Sequence, residues 1–485
     1  MKFISSILLL SLLSTTLSSA ARADNINLPE LGDVSATVLS PLQEERIAEQ
    51  IMRDVYNSNQ VLQDAEVTDY VTALGLRLGA NSPNPQQTFR FFVVKDNSIN
   101  AFAMPGGVIG VHTGLIVAAN NESEVAGVLG HEIGHVVQHH LARMLAQQKT
   151  DSIISMAGMA LALLAARGSP QLSGGAMAAA SAGSIQRQLD YTREHEREAD
   201  RVGFQIMQKA GFDTRALATF FETLQKGSRF SDGSAPSFLR THPLTSERIA
   251  DVRGRAEATA NYRMLPFSPD FEYVKAKLVA ALGTPQQAIS VFRQNLQERR
   301  YTTEDAQHYG LAVAYMRKNE LDAAAGELAW LRKNAMPHPM IETLAANIEV
   351  ARKDADAAGK QFVAALARYP DHRALVYGYA EHLLASHQPD KALKLIEDKV
   401  SSFPDDPYLY ELKSRAYTAQ GKNLLRHQAQ GESYLRQYNL QGALEQFDLA
   451  VKAGDGDFYQ QSIVEARLNE LKQRVDKPKK EGWFN

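Results

Sequence analysis

Cysteine is absent from all 485 residues. No disulfide can hold this fold together, no lipid can be attached through an N-terminal thiol, and no metal can sit on thiolates. Any metal ion must therefore be held by histidine and carboxylate. An excess of charge of one sign is also missing, since 52 Lys and Arg stand against 55 Asp and Glu for a formal net charge of -3. That balance excludes the broad basic face that nucleic-acid binding requires, so no nucleic-acid partner is expected. Long apolar runs are lacking too. The two that stand out, Ile4 to Leu17 and Ile153 to Ala166, fall short of the ~20 residues that a helix needs to cross a bilayer.

The first of these runs carries serines and threonines, follows Lys2, and leads to Ala21-Arg22-Ala23, a small-residue cleavage site. It reads as a secretory signal over residues 1–23, with the mature chain beginning near Asp24 in an oxidising compartment. The second run is broken by Gly158, ends at Arg167-Gly168-Ser169-Pro170, and passes into Gly- and Ala-rich sequence up to Gly183. A buried helix or mobile lid is expected there, with peripheral membrane contact as the alternative.

What is present describes an ordinary globular protein, 44% hydrophobic and 22% charged, with a length beyond what one core organises. Two domains are expected, over residues 24–262 and 263–485. The first has a mostly helical α+β pattern. Gln43 to about Arg77 is helical in spacing; Thr88 to Val94 and Asn100 to Val111, the latter interrupted by Met104-Pro105-Gly106-Gly107, suggest a small antiparallel sheet. From Glu122 to about Gln148 the apolar residues Val125, Val128, Leu129, Ile133, Val136 and Met144 recur at helical spacing, and Asn121 or Ser123 can cap the start.

Beyond about Arg263 the chain is Ala-, Leu- and Gln-rich. Ala324-x3-Leu328, Ala358-x3-Phe362 and Ala392-x3-Ile396 lie 34 residues apart, and Pro370-Asp371 and Pro404-Asp405 repeat that interval. Ala288-x3-Phe292 and Ala443-x3-Phe447 bracket the array at irregular intervals. The period resembles the tetratricopeptide repeat, a helix–turn–helix unit that buries its apolar face only by stacking, so an all-α solenoid is expected.

The chemistry concentrates in His131-Glu132-Ile133-Gly134-His135, inside the strong helix. Positions i and i+4 share a face, so two imidazoles can grip one ion, and Glu132 beside them can take a proton from water. His139 is also spaced four from His135, but that frame places no carboxylate where a base belongs; His139 and His140 read as surface or supporting histidines. A catalytic ion needs a third protein ligand. Downstream, Arg193 to Asp200 opens a second amphipathic helix on which Glu196 and Asp200 share a face, whereas Glu194 and Glu198 project elsewhere and read as solvated charges.

H-E-x-x-H followed by E-x-x-x-D resembles the gluzincin pattern, which implies that Glu196 completes a zinc site and that Asp200 orients a ligating histidine through its other ring nitrogen. The E-x-E-A-D core within Arg193 to Gly203 is similar to the Oma-type and CAAX-prenyl-type metalloendopeptidases. Thr192 is a departure, since many relatives have Ser there. Signal, peptidase and repeats together resemble the subfamily of β-barrel assembly-enhancing proteases over nearly the whole mature chain. The family's T-H-P segment and following Arg match Thr241-His242-Pro243 and Arg248. The resemblance implies that His242 approaches the metal as a possible fourth, regulatory ligand, that Arg248 lies near the substrate carbonyl, and that residues 153–183 form a lid.

The resemblance further implies one Zn2+ per subunit, a periplasmic address, and peptide-bond hydrolysis in misfolded or stalled outer-membrane proteins, with the repeats docking substrates or the β-barrel assembly machinery. Substrate is expected as an added strand along Asn100 to Met104. The alternative is a chaperone or assembly adaptor whose protease site is normally shut.

Overall fold

The computed structural model describes residues 40–146, 193–230, 237–259 and 268–476. The signal at 1–23 and the insertion at 153–183 lie outside the described residues. Helix α1 (Pro41–Asn57) opens on a capping box in which Ser40 Oγ accepts from the Gln43 N–H, and α2 (Ala65–Gly79) opens on Asp64, whose carboxylate accepts from the Glu66 and Val67 N–H groups. The helical stretch expected from Gln43 to Arg77 is thus two helices, divided where the Asp64 side chain competes for backbone donors.

The sheet has three strands, β1 (Arg90–Val94), β2 (Ala101–Met104) and β3 (Val108–His112), in the order β1-β3-β2. The expectation of an antiparallel sheet holds for β2 against β3 and is corrected for β1, which runs parallel to β3. The cause is the tight turn at Pro105–Gly107, where Gly106 and Gly107 take φ of 71° and 74°. The chain leaves β1, reaches the far edge as β2, and reverses there, so that β3 enters between the two. β2 is left at an edge, and β3 is buried throughout.

After α3 (Thr113–Ala118) comes α4 (Glu122–Val137), capped by Asn121, whose side chain accepts from the Glu124 N–H. Val125, Val128, Leu129 and Ile133 are fully buried on it. The helix expected to reach Gln148 stops at Val137; His139 takes φ of 51°, and a separate α5 (His140–Ala146) follows. Then come α6 (Arg193–Ala210), α7 (Arg215–Phe230), α8 (Ser237–Thr241) and α9 (Ser246–Ala258).

Twelve further helices, α10 (Pro269–Ala281) to α21 (Phe458–Asp476), form the repeats. The motif alanines 288, 324, 358, 392 and 443 are all buried, and Phe292 and Phe362 press their rings on Gly310 and Gly378 of the following helices. The bracketing matches therefore pack like the regular ones. One apolar cluster runs from α2, the sheet and α4 into the first repeats. At its rim Lys277 Nζ lies 2.6 Å from Asp64 and 2.7 Å from Glu66, and Arg373 Nε donates to Asp69 at 2.9 Å. Further along the array, Arg90 Nε donates to the Tyr438 hydroxyl at 3.3 Å. Among the described residues no helix is long and apolar enough to cross a membrane.

Candidate metal centre

Two helices meet because their contact is made of the smallest residues. Gly130 and Gly134 on α4 face Ala199 and Gly203 on α6; a Cβ at Gly134 would fall 2.9 Å from the Ala199 carbonyl oxygen, and one at Gly203 would fall 2.9 Å from the His131 nitrogen. That close approach lets a carboxylate on α6 reach two imidazoles on α4. The spacing i, i+4 places His131 and His135 on the same face, and their Nε2 atoms are 3.0 Å apart.

Glu196 comes to meet them, with Oε1 3.3 Å from His135 Nε2 and Oε2 3.5 Å from His131 Nε2. His242 closes the group from the end of α8, where its N–H donates to the Phe238 carbonyl and its ring stacks on Phe238. Its Nδ1 lies 2.9 Å from Glu196 Oε1 and 3.3 Å from His131 Nε2. One donor atom from each of His131, His135, Glu196 and His242 lies within 4.8 Å of the other three, and all four residues are buried.

These separations suit a divalent ion. Ligand bonds of ~2.1 Å in a tetrahedron place donor atoms ~3.4 Å apart, and the separations given above, 2.9 to 3.5 Å, bracket that value. Glu132 is fully buried beside the group, its carboxylate approached by the Ala103 backbone N–H but without a side-chain hydrogen bond among the described residues. His242 Nε2 stands 3.4 Å from Oε1. A buried carboxylate with so little compensation is costly, and a site shaped for an ion, water and substrate is a reason to keep one. Burial raises the Glu132 carboxyl above its ordinary value, offset in part by His242 and His131. Raised basicity is what a proton acceptor near neutral pH needs.

Behind the donors stand their supports. Asp200, one turn beyond Glu196, places Oδ1 2.9 Å from His131 Nδ1. Burial acts against a charged His131 ring, but Asp200 and Glu196 outweigh it and raise the imidazole's basicity. Arg248, expected near a substrate carbonyl, is engaged by the carboxylates behind the donors. Its Nε and Nη2 donate to Asp200 at 2.7 and 2.8 Å, and its Nη1 donates to the Pro243 carbonyl at 2.8 Å and lies 2.6 Å from Glu196 Oε2. The guanidinium is committed behind the ligands because two buried carboxylates there demand a cation.

Two further residues belong here, His140 in the supporting role that is one of its two readings and Glu198 against its reading as a solvated charge. His140 is fully buried, with Nδ1 2.9 Å from His135 Nδ1 and Nε2 3.0 Å from Glu198 Oε2. Glu198 also accepts from Arg143 Nη1 at 3.1 Å, so it is not a freely solvated charge. In the sequence only the helical phase of Glu198 is legible, and it lies off the Glu196–Asp200 face.

Two histidines at i, i+4 with a buried glutamate between them, joined by a glutamate from a second helix, define a metalloendopeptidase. The chain belongs to peptidase family M48, whose model matches residues 64–256, and a tetratricopeptide-repeat model matches residues 349–416. It is 30% identical over 453 residues to the beta-barrel assembly-enhancing protease of Escherichia coli (strain K12), covering 92% of this chain and 91% of that one. A Vibrio cholerae serotype O1 protein given the same name provisionally is 32% identical over 467 residues, 96% of each chain. The E. coli metalloprotease YcaL is 30% identical over 226 residues, 46% of this chain and 84% of its own. This last match spans less than half of this chain, whereas the first two span nearly all of it.

Proposed function

We propose that this chain is a periplasmic zinc endopeptidase that hydrolyses peptide bonds in misfolded or stalled outer-membrane proteins, with its repeats aiding outer-membrane protein assembly and quality control. Residues 24–262 would form the peptidase and residues 263–485 the repeat domain, after removal of a signal ending near Ala23. His131, His135 and Glu196 would hold one zinc ion, which supplies Lewis acidity to a substrate carbonyl and to the attacking water. Imidazole and carboxylate donors without thiolate suit that ion.

Glu132 takes the proton from the attacking water and passes it to the leaving amine. Asp200 orients His131, and Arg248 holds Asp200 and Glu196 in place. Substrate enters as a strand along β2. The antiparallel ladder in which the His112 N–H donates to the Asn100 carbonyl turns the backbone groups of Ala101 and Ala103 away from β3. Backbone pairing accepts many sequences, as quality control of diverse barrels demands.

The observation that carries this reading is the convergence of four donor atoms on one point beside a fully buried Glu132. Metal analysis together with casein proteolysis tests it. Wild type is expected to hold one zinc per chain and to cleave; Glu132→Gln is expected to keep the zinc and to lose about 10²- to 10⁴-fold in turnover. Wild-type protein without metal, or a fully active variant, would reject it. A second reading, an assembly adaptor with a latent protease site, is favoured by His242 standing at the fourth corner of the donor group. Retention of outer-membrane assembly by Glu132→Gln would support that reading for the assembly activity.

A further inference from the structure

Each histidine on α4 has a second ring nitrogen that faces away from the donor group, and something must decide which nitrogen carries the proton. For His131 the partner is Asp200. For His135 it is another imidazole, and ligation through His135 Nε2 requires that imidazole to be neutral, which fixes the protons along the contacts behind it. Glu198, held by Arg143, is a carboxylate and can only accept. His140 Nε2, 3.0 Å away, therefore carries the proton it donates to Glu198. A neutral His140 then presents a lone pair at Nδ1. His135 Nδ1, 2.9 Å from that lone pair, must be the N–H, which leaves the lone pair of His135 at Nε2, facing His131 and Glu196.

We propose that His140 and Glu198 form a positioning pair that fixes the tautomer and ring orientation of His135 for metal binding. The inference rests on reading His135 as a metal ligand. Both ring nitrogens of His140 are engaged, so it serves as a support and not as a further ligand. His195 stacks on its outer face, with ring centroids 4.5 Å apart. The break after α4 makes the pair possible: the positive φ of His139 turns the chain so that the His140 ring passes beneath His135. Helix α6 thereby supplies a ligand, Glu196, and controls both histidines, one directly through Asp200 and one through Glu198 and His140.

Outer partners of this kind are worth 10- to 100-fold in metal affinity. The test is the affinity of the full chain for Zn2+ and Co2+, measured by chelator competition, together with the visible spectrum of the Co2+ form. His140→Phe, which keeps the ring volume and removes the acceptor, is expected to weaken binding ~10- to 100-fold and to change the Co2+ spectrum. His140→Asn, whose side-chain oxygen can accept from His135, is expected to restore both. Glu198 is partly exposed, so Glu198→Ala leaves little cavity, and it is expected to cost about tenfold through the loss of His140's tautomer. If wild type binds one ion and His140→Phe and Glu198→Ala match it in affinity and spectrum, the positioning role is overturned. If wild type itself binds neither ion, the assignment of His135 as a ligand fails and the pair has nothing to position.

Discussion

Arg248 grips Asp200 by both oxygens, through Nε at 2.7 Å and Nη2 at 2.8 Å, with both side chains almost wholly buried. A fork of this kind is specific to guanidinium. Removing it strands Asp200 and Glu196 as buried charges, so Arg248→Ala is expected to destabilise the metal-free protein by about 3–5 kcal/mol. Arg248→Lys is expected to recover less than half of that, because an ammonium cannot span both oxygens. Urea unfolding followed through the peptidase helices checks both; equal stability of Lys and Arg would argue against the fork.

The same pair predicts how stability responds to acid. Burial acts to raise the Asp200 carboxyl, but Arg248 and then His131 outweigh it and hold it below its ordinary value. A folded-state pKa below the unfolded value of ~3.9 contributes stability that is present in full above that value and lost as pH falls through the folded one. Metal-free wild type is expected to lose more stability between about pH 5 and about pH 3 than Asp200→Asn loses over the same range. Parallel curves in a urea series would remove Asp200 from the acid response.

Helix approach at the glycine seam is open to a direct challenge. A methyl at position 203 would meet the Gly130 and His131 backbones at 2.9 Å, and backbone cannot yield as a flexible side chain can. Gly203→Ala is expected to cost about 1–3 kcal/mol and to weaken metal binding by moving Glu196 away from α4. Thermal melts with and without zinc separate the two effects. Unchanged metal affinity would show that the seam does not set the site.

Proline at Ala101 or Ala103 removes an N–H that faces outward from β2. Each substitution is expected to cut hydrolysis of an unfolded protein while leaving one metal per chain. Turnover equal to wild type in both variants would discard the added-strand mode of substrate binding.

Where the repeats meet the peptidase, Arg373 lies between Asp69 on α2 and Asp406, donating to the latter at 3.0 Å. It is about a quarter exposed, so the contribution is modest, up to ~1 kcal/mol after solvent screening. Arg373→Ala is expected to speed hydrogen exchange in α2 by up to about fivefold without touching metal content. Exchange that is unchanged would place the hold on α2 in the apolar cluster and the Lys277 ion pairs.

How far these features can be read from sequence depends on the range of the physics. His131 and His135, and equally Glu196 and Asp200, are legible because helical periodicity is local and puts residues four apart on one face. The repeats are legible through their 34-residue interval, even at Ala288 and Ala443, where the spacing drifts but the packing does not. Glu198 is misread because its partner lies 58 residues away and reaches it only through a left-handed His139, a conformation with no signature in a non-glycine residue. The fork of Arg248 on Asp200 is not legible, because the helix can be recognised but the partner, 48 residues earlier, cannot. The parallel pairing of β1 depends on which side of β2 the chain re-enters after Gly107, and alternation of apolar residues does not encode that choice.

The most direct measurement is an anomalous difference map at the zinc edge from crystals of the full chain. A single strong peak is expected roughly 2.0–2.2 Å from His131 Nε2, His135 Nε2 and a Glu196 carboxylate oxygen. A peak coordinated elsewhere, or one at the two histidines with Glu196 turned away, would contradict it.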